Sequence, residues 1–133
     1  MFNLKLVTPN KTIVHDVPAD EVFVPAHRGE LNILPGHMPL VTTLTPGILK
    51  YRLEGQDELK KVAISWGYCE VNPFGVTVLA DTAEAKEEID RARCEQAMKK
   101  AQDMLGQDQL STEELEKYQR KLKRAEVRLE LVD

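Results

Sequence analysis

Cysteine is scarce in this chain: two residues in 133, Cys69 and Cys94. Neither has metal-ligand or redox spacing, and a reducing compartment leaves little use for a structural disulfide. Both are expected to be small fillers of buried or half-buried space. Long apolar runs are missing too. None approaches the roughly 18 residues needed to span a bilayer, and Met1-Phe2-Asn3-Leu4-Lys5 lacks the charged-then-apolar plan of a signal peptide. The cytoplasm is the expected compartment. Excess charge of one sign is also lacking: the net charge is −4, which implies neither nucleic acid nor an anionic membrane surface as partner. Only three histidines occur, His15, His27 and His37, without an i,i+4 partner histidine or a His-x-Glu neighbour. There is no Gly-x-Ser-x-Gly, Walker loop or Cys-x-x-Cys. His15 and Asp16 are adjacent, and adjacent strand residues point to opposite faces. Intrinsic catalysis is not expected.

A further absence divides the chain. All seven prolines lie before residue 74, and Gly106 is the only glycine after Gly75. Beyond Ala83 nearly half of the residues are charged. The break predicts two domains, residues 1–83 and 84–133.

The first reads as short strands between turns. Leu4–Val7, Thr12–Val14, Val22–Val24, Ile48–Leu53, Val62–Ile64 and Val76–Leu79 are rich in β-branched and aromatic residues. Thr8-Pro9-Asn10, Pro46-Gly47, Glu54-Gly55-Gln56-Asp57 and Asn72-Pro73-Phe74-Gly75 separate them. This predicts an antiparallel sandwich or small barrel, because a parallel sheet needs crossover helices for which there is no room.

The second reads as two helices. One starts within Thr82–Asp90 and ends near Leu105, with Gly106 where a left-handed residue is wanted. The other opens on Ser111 as cap, with Glu114 closing a capping box and Leu110 and Leu115 at staple positions. Leu115, Tyr118, Leu122, Ala125, Leu129 and Val132 repeat at spacings of three and four, a heptad-type seam. Ile89, Ala92, Ala97, Ala101 and Leu105 form a thin stripe on the first helix. An antiparallel hairpin joined by Gly106–Leu110 follows.

The most constrained stretch is Gly29–Leu40, GELNILPGHMPL. Proline at Pro35 pre-sets φ for a turn, and Gly36 accepts the positive φ of a type II turn. Leu31 and Ile33 alternate with Glu30 and Asn32 like a half-buried strand. Pro39 cannot donate to a ladder, so the segment should leave along an edge or bulge. The expected product is a stiff exposed corner carrying Glu30 and His37. This stretch resembles the Gly-Glu-Leu-Gly-Ile-Leu-Pro-Gly-His-x-Pro-Leu signature of the epsilon subunit of the bacterial F-type, proton-translocating ATP synthase, with Asn32 in place of a glycine. Leu79-Ala80-Asp81-Thr82-Ala83-Glu84 is similar to the end of that family's sandwich.

The resemblance covers the whole chain and implies an α+β, mainly β fold: an N-terminal antiparallel β-sandwich of about ten strands, then a C-terminal antiparallel two-helix hairpin. It implies a non-catalytic central-stalk subunit whose partners are the γ subunit, the c-ring and the α and β subunits. Such a subunit is peripheral to the membrane, on the cytoplasmic side of the bacterial inner membrane. Glu30 and His37, with Arg28 beside them, are the implied contacts for the c-ring and γ. Trp66 stands where the family often carries glycine, and the sequence assigns it no function.

Two further residue sets lie on the helices. Ile89-Asp90-Arg91-Ala92-Arg93-Cys94 resembles the Ile/Leu-Asp-x-x-Arg-Ala motif that binds ATP in some members. Arg124 and Arg128 match arginines that complete their pocket, while Cys94 replaces the motif alanine and Lys100 replaces an arginine. Two arginines one turn apart can fork onto phosphate oxygens, whereas lysine is a point charge. Two readings stay open: Ile89, Asp90, Arg93, Lys100, Arg124 and Arg128 bind ATP as a regulatory ligand, or Asp90 is a helix cap among surface arginines. No cofactor is obligatory in either. Lys117, Lys121, Arg124 and Arg128 step by four, three and four along one stripe. Like charges so placed repel unless something anionic is near. The resemblance supplies an acidic segment of the β subunit.

The expected mechanism is a rotor subunit coupling proton-driven rotation to ATP synthesis, with the hairpin as a brake on ATP hydrolysis. The alternatives are a free-standing nucleotide-sensing module and a small β-sandwich enzyme using His37 with a carboxylate. The enzyme requires a concave site near residue 37.

Overall fold

Alternation of buried and exposed side chains organises the first 85 residues of the computed structural model, which describes residues 1–133. Nine strands form: β1 (Phe2–Val7), β2 (Thr12–Ala26), β3 (Gly29–Ile33), β4 (Leu40–Leu44), β5 (Gly47–Leu53), β6 (Lys60–Ile64), β7 (Gly67–Asn72), β8 (Gly75–Ala80) and β9 (Ala83–Ala85). In β8 the period of two is complete, with Val76, Val78 and Ala80 inward. Leu4, Leu6, Val22, Val24, Ile33 and Leu49 meet them in a core of 18 buried residues.

Thr12–Val14 and Val22–Val24, expected as separate strands, are the two ends of β2. The polar and proline-containing middle suggested a break. Instead the chain bends at Asp16, where φ is 50° and the register with β1 slips, and then continues. β2 therefore serves both layers. Its first half pairs with β1, which leads through β8 and β7 to β4; its second half lies between β3 and β5, which leads to β6 and β9. The β1–β8 pair is parallel, against the antiparallel expectation. No crossover helix is needed because nearly the whole sheet domain intervenes between the two strands.

The expected division after Ala83 falls inside β9, whose Glu84 and Ala85 still pair with β6. A single 3₁₀ turn at Lys86–Glu88 then leads to α1 (Arg91–Leu105) and α2 (Thr112–Val132). Ser111 caps α2, accepting from the Glu114 N–H at 3.1 Å. Glu114 returns the favour to the Ser111 hydroxyl rather than to its backbone. Gly106 is not left-handed: its φ of −80° and ψ of −5° continue the helical region, and the positive φ falls on Gln109.

The stripe on α1 also differs from expectation. Ala92 and Ala97 face solvent; Cys94 and Ala101 are buried, with Met98 and Leu105 half-buried beside them at helical spacing. On α2, Ala125 and Leu129 of the expected seam are buried, but so is Val127, which lies off the seam. Val127 faces the sandwich together with Arg124 and Arg128, beside Ala63, Ile64 and Ser65. The helix has two buried edges because it is packed on two sides.

Candidate functional site: an exposed tip and a docked arginine edge

The corner at Pro35-Gly36 forms as its chemistry requires. Gly36 has φ of 83°, and the His37 N–H donates to the Leu34 carbonyl at 3.1 Å. His37 Nδ1 lies 2.8 Å from the Met38 carbonyl. A carbonyl only accepts, so Nδ1 carries the proton and Nε2 faces away from that bond. None of the four main clefts is lined by His37, whereas the enzyme alternative requires a concave site there.

Glu30 and Arg28 do not join His37. They lie at the β2–β3 turn, at the other end of β3, about 10 Å of strand away. Glu30 approaches Lys50 Nζ at 3.6 Å in a groove that also meets the end of α2 at Glu130 and Asp133. Arg28 is exposed.

What surrounds His37 is apolar. Leu40 pairs with Val71, Asn72 with Gly75, and Asn3 with Gly75, so the corner, the β7–β8 turn and the N-terminus share one end of the sandwich. Met1, Leu34, Met38 and Phe74 there are 67, 49, 79 and 84 % exposed. Asn72 fixes the β7–β8 turn by accepting from the N–H groups of Phe74 and Gly75. Sequence reasoning missed these four side chains. A phenylalanine at the tip of an Asn-Pro-x-Gly turn was the available signal, since a turn offers nothing to bury it.

Around the start of α1 the structure gathers some of the proposed nucleotide residues. Asp90 is a helix cap, its Oδ1 accepting from the Arg93 N–H at 3.2 Å. Asp90, Arg93, Arg128 and Glu84 all lie close enough to Cys94 to act on its thiol, whose pKa is raised first by burial. Arg128 Nη2 is held by Glu84 Oε1 at 2.6 Å. Arg124 turns instead to Trp66, and Lys100 is exposed further along α1. Ile89 is half-buried.

The basic stripe divides in the same way. Lys117 and Lys121 are exposed and flank the Tyr118 ring, their ammonium groups 5.5 and 5.6 Å from its centroid. Arg124 and Arg128 are occupied by the sandwich. Arg120, absent from the expected set, stacks on Trp66 with Arg124. No helix is long and apolar enough to cross a membrane, and no group of three or more acidic, histidine or cysteine side chains could hold a metal.

Residues 1–86 match the family model "ATP synthase, Delta/Epsilon chain, beta-sandwich domain", and residues 87–133 match "ATP synthase, Delta/Epsilon chain, long alpha-helix domain". The ATP synthase epsilon chain of Bdellovibrio bacteriovorus is 40% identical over 132 residues, covering 99% of this chain and 94% of that one. That of Koribacter versatilis is 48% identical over 104 residues, covering 78% and 71%. Among solved structures, a chain of the Euglena gracilis mitochondrial ATP synthase OSCP/F1/c-ring assembly superposes with a TM-score of 0.85 at 26% identity, covering 97% of this chain and 79% of that one. With both halves matched in order over the full length, the chain belongs to the family of bacterial-type F-type ATP synthase epsilon subunits.

Proposed function

We propose that the chain is a non-catalytic central-stalk subunit of an F-type ATP synthase. Its sandwich docks on the γ subunit and the c-ring at the cytoplasmic face of the membrane, and its hairpin restrains ATP hydrolysis by the α and β subunits. One observation carries this reading: the exposed apolar tip and the docked hairpin lie at opposite ends of β7, about 20 Å apart. Exposed apolar side chains rimmed by polar ones mark a protein contact. The tip can thus stay attached to one partner while the hairpin moves relative to others. His37 with its outward Nε2, Met38 and Phe74 are the central contacts; Glu30 and Arg28 at the far turn serve a separate contact.

Two assays on the assembled complex test the two halves. Deleting residues 87–133, which leaves β9 whole, raises ATPase activity without loss of assembly; unchanged activity removes the brake. Replacing Met38 and Phe74 together by serine lowers retention of the chain on the membrane complex, and undiminished retention removes the tip as a contact.

ATP as a regulatory ligand is supported by the gathering of Asp90, Arg93 and Arg128 at the start of α1. A phosphate would have to displace Glu84 from Arg128. Calorimetry of the full chain with ATP decides it: binding heat that is lost in Arg124→Ala/Arg128→Ala supports the site, and absence of heat ends it.

A further inference from the structure

Trp66 is the only tryptophan in the chain. It sits in the two-residue link Ser65-Trp66 between β6 and β7, and that link is unusually well fixed. Ser65 exchanges backbone and side-chain hydrogen bonds with Thr82, and the Asp81 N–H donates to the Trp66 carbonyl at 2.8 Å. At the next residue, Gly67, a Cβ would lie 1.9 Å from the Leu79 carbonyl oxygen, so the link is pressed against β8. The indole is therefore held out from a rigid support.

Two guanidinium groups one turn apart on α2 cover it. Arg120 Cζ lies 4.7 Å and Arg124 Cζ 5.4 Å from the ring centroid. One turn further on, Arg128 pairs with Glu84 of β9. On the α2 side of this contact Val127 is the one buried apolar side chain, set beside Ala63 and Ile64 of β6. The contact also carries a cost, because Arg124 Nε is buried without a hydrogen-bond partner. The two helices, by contrast, are joined by buried apolar side chains at Cys94, Ala101, Ala125 and Leu129, and by an Arg91–Asp133 ion pair of 2.8 Å at their open ends.

We infer that Trp66 and Glu84 form a charge-operated latch on the arginine edge of α2, and that its release frees the hairpin from the sandwich as an intact two-helix unit. The hinge is Ile89-Asp90, between the 3₁₀ turn and α1. Arg124 and Arg128 are also two of the four stripe residues that the resemblance offers to an acidic segment of the β subunit, whose ATP hydrolysis the hairpin is proposed to restrain. The docked and partner-bound positions then exclude one another; that exclusion rests on the proposed function, while the latch does not.

The purified full chain tests it, with Trp66 as its own reporter. Raising sodium chloride from about 50 mM to about 1 M shortens the screening length to roughly 3 Å and weakens the latch, by less than it would a fully exposed pair because the Glu84–Arg128 contact is part-buried. Trp66 emission shifts to the red and acrylamide quenching increases, while far-UV ellipticity holds. Arg120→Gln/Arg124→Gln gives the same change without added salt, each lost stacking contact moving the docked-to-free ratio by about two- to fivefold. Glu84→Gln acts in the same direction. Unchanged quenching in the double variant overturns the latch. Exposure of Trp66 together with falling helicity overturns release as a unit. Neither outcome depends on an ATPase measurement, so failure here and failure of the brake are distinguished.

Discussion

The sheet domain and the hairpin are both held by apolar contact, but on very different scales. The sandwich core joins 18 buried residues drawn from all nine of its strands, β9 contributing Ala83 alone. The hairpin buries five: Cys94, Ala101, Ala125, Val127 and Leu129, two of them alanines. Burial contributes about 25 cal/mol per Å² of apolar surface, so small side chains at a two-helix seam add little. The consequence is local stability that differs along one chain. A rigid body can hold a partner in fixed register, and a weakly fastened appendage can change position at modest cost.

Core deletions should separate the two regions most sharply. Leu4 is fully buried between the layers, and Leu4→Ala should cost about 2–5 kcal/mol. Leu122 on the seam is only half-buried, and Leu122→Ala should cost about 1 kcal/mol. Hydrogen exchange checks the distribution of the loss. Leu4→Ala lowers protection everywhere, whereas Leu122→Ala lowers it in α1 and α2 alone. Equal loss in β1 and β8 from Leu122→Ala would show one cooperative unit and end the distinction.

The two cysteines give the same comparison a chemical readout. Burial, helped by Glu70, pushes the Cys69 thiol up to about 12. Burial also raises the Cys94 thiol, with Arg128 opposing. Alkylation requires thiolate and access, so both depend on opening. At mildly alkaline pH Cys94 should react about tenfold or more faster than Cys69, because hairpin opening is sub-global and exposure of Cys69 is global. Equal rates would mean that the hairpin opens only when the sandwich does.

Much of this division was legible in the sequence. Proline and glycine distribution separated sheet from helices, and Ser111 with Glu114 marked the start of α2 in the right place. The errors share a cause: contacts made at long range. Nothing local announced that β1 would lie parallel to β8, that β2 would run through Pro18, or that Val127 rather than a seam residue would face the sheet. The α1 stripe was misread because alanine is equally at home buried or exposed on a helix, so Ala92 and Ala97 gave no information; Cys94, expected as a buried filler and found buried, was left off the stripe, and Met98 was overlooked. Of the proposed contacts, the turn around His37 was readable from Pro35-Gly36. The separation of Glu30 from His37 was readable in principle, since three to four strand residues cannot be spanned by two side chains. Trp66 had no local meaning, because its partners lie more than fifty residues away.

Capping offers a smaller perturbation confined to one side of the comparison. Ser111→Ala removes the acceptor for the Glu114 N–H and should destabilise α2 by about 1 kcal/mol. Cys94 alkylation should rise about fivefold, the rate equivalent of that energy, with Cys69 unchanged. A matching rise at Cys69 would mean that the cap supports the whole chain.

The smallest effect lies where the two regions join. Glu88, in the 3₁₀ turn, takes a hydrogen bond from Lys11 of the β1–β2 turn and another from the Ala85 N–H. The Lys11 bond is the main reason that its carboxyl sits below its ordinary value, with the Ala85 bond second. A carboxyl whose pKa is depressed by folding stabilises the fold at pH above its ordinary range. That stabilisation is lost as pH falls through the depressed value. Both side chains are largely exposed, so the contribution stays below about 1 kcal/mol. Lys11→Gln should therefore loosen exchange protection at the base of the hairpin slightly near neutral pH. The variant and the parent chain should converge once Glu88 is protonated. A difference that persists in acid would locate the effect in the packing of the lysine stem rather than in its charge, and the tether between sheet and helices would then be apolar like the rest of the sandwich.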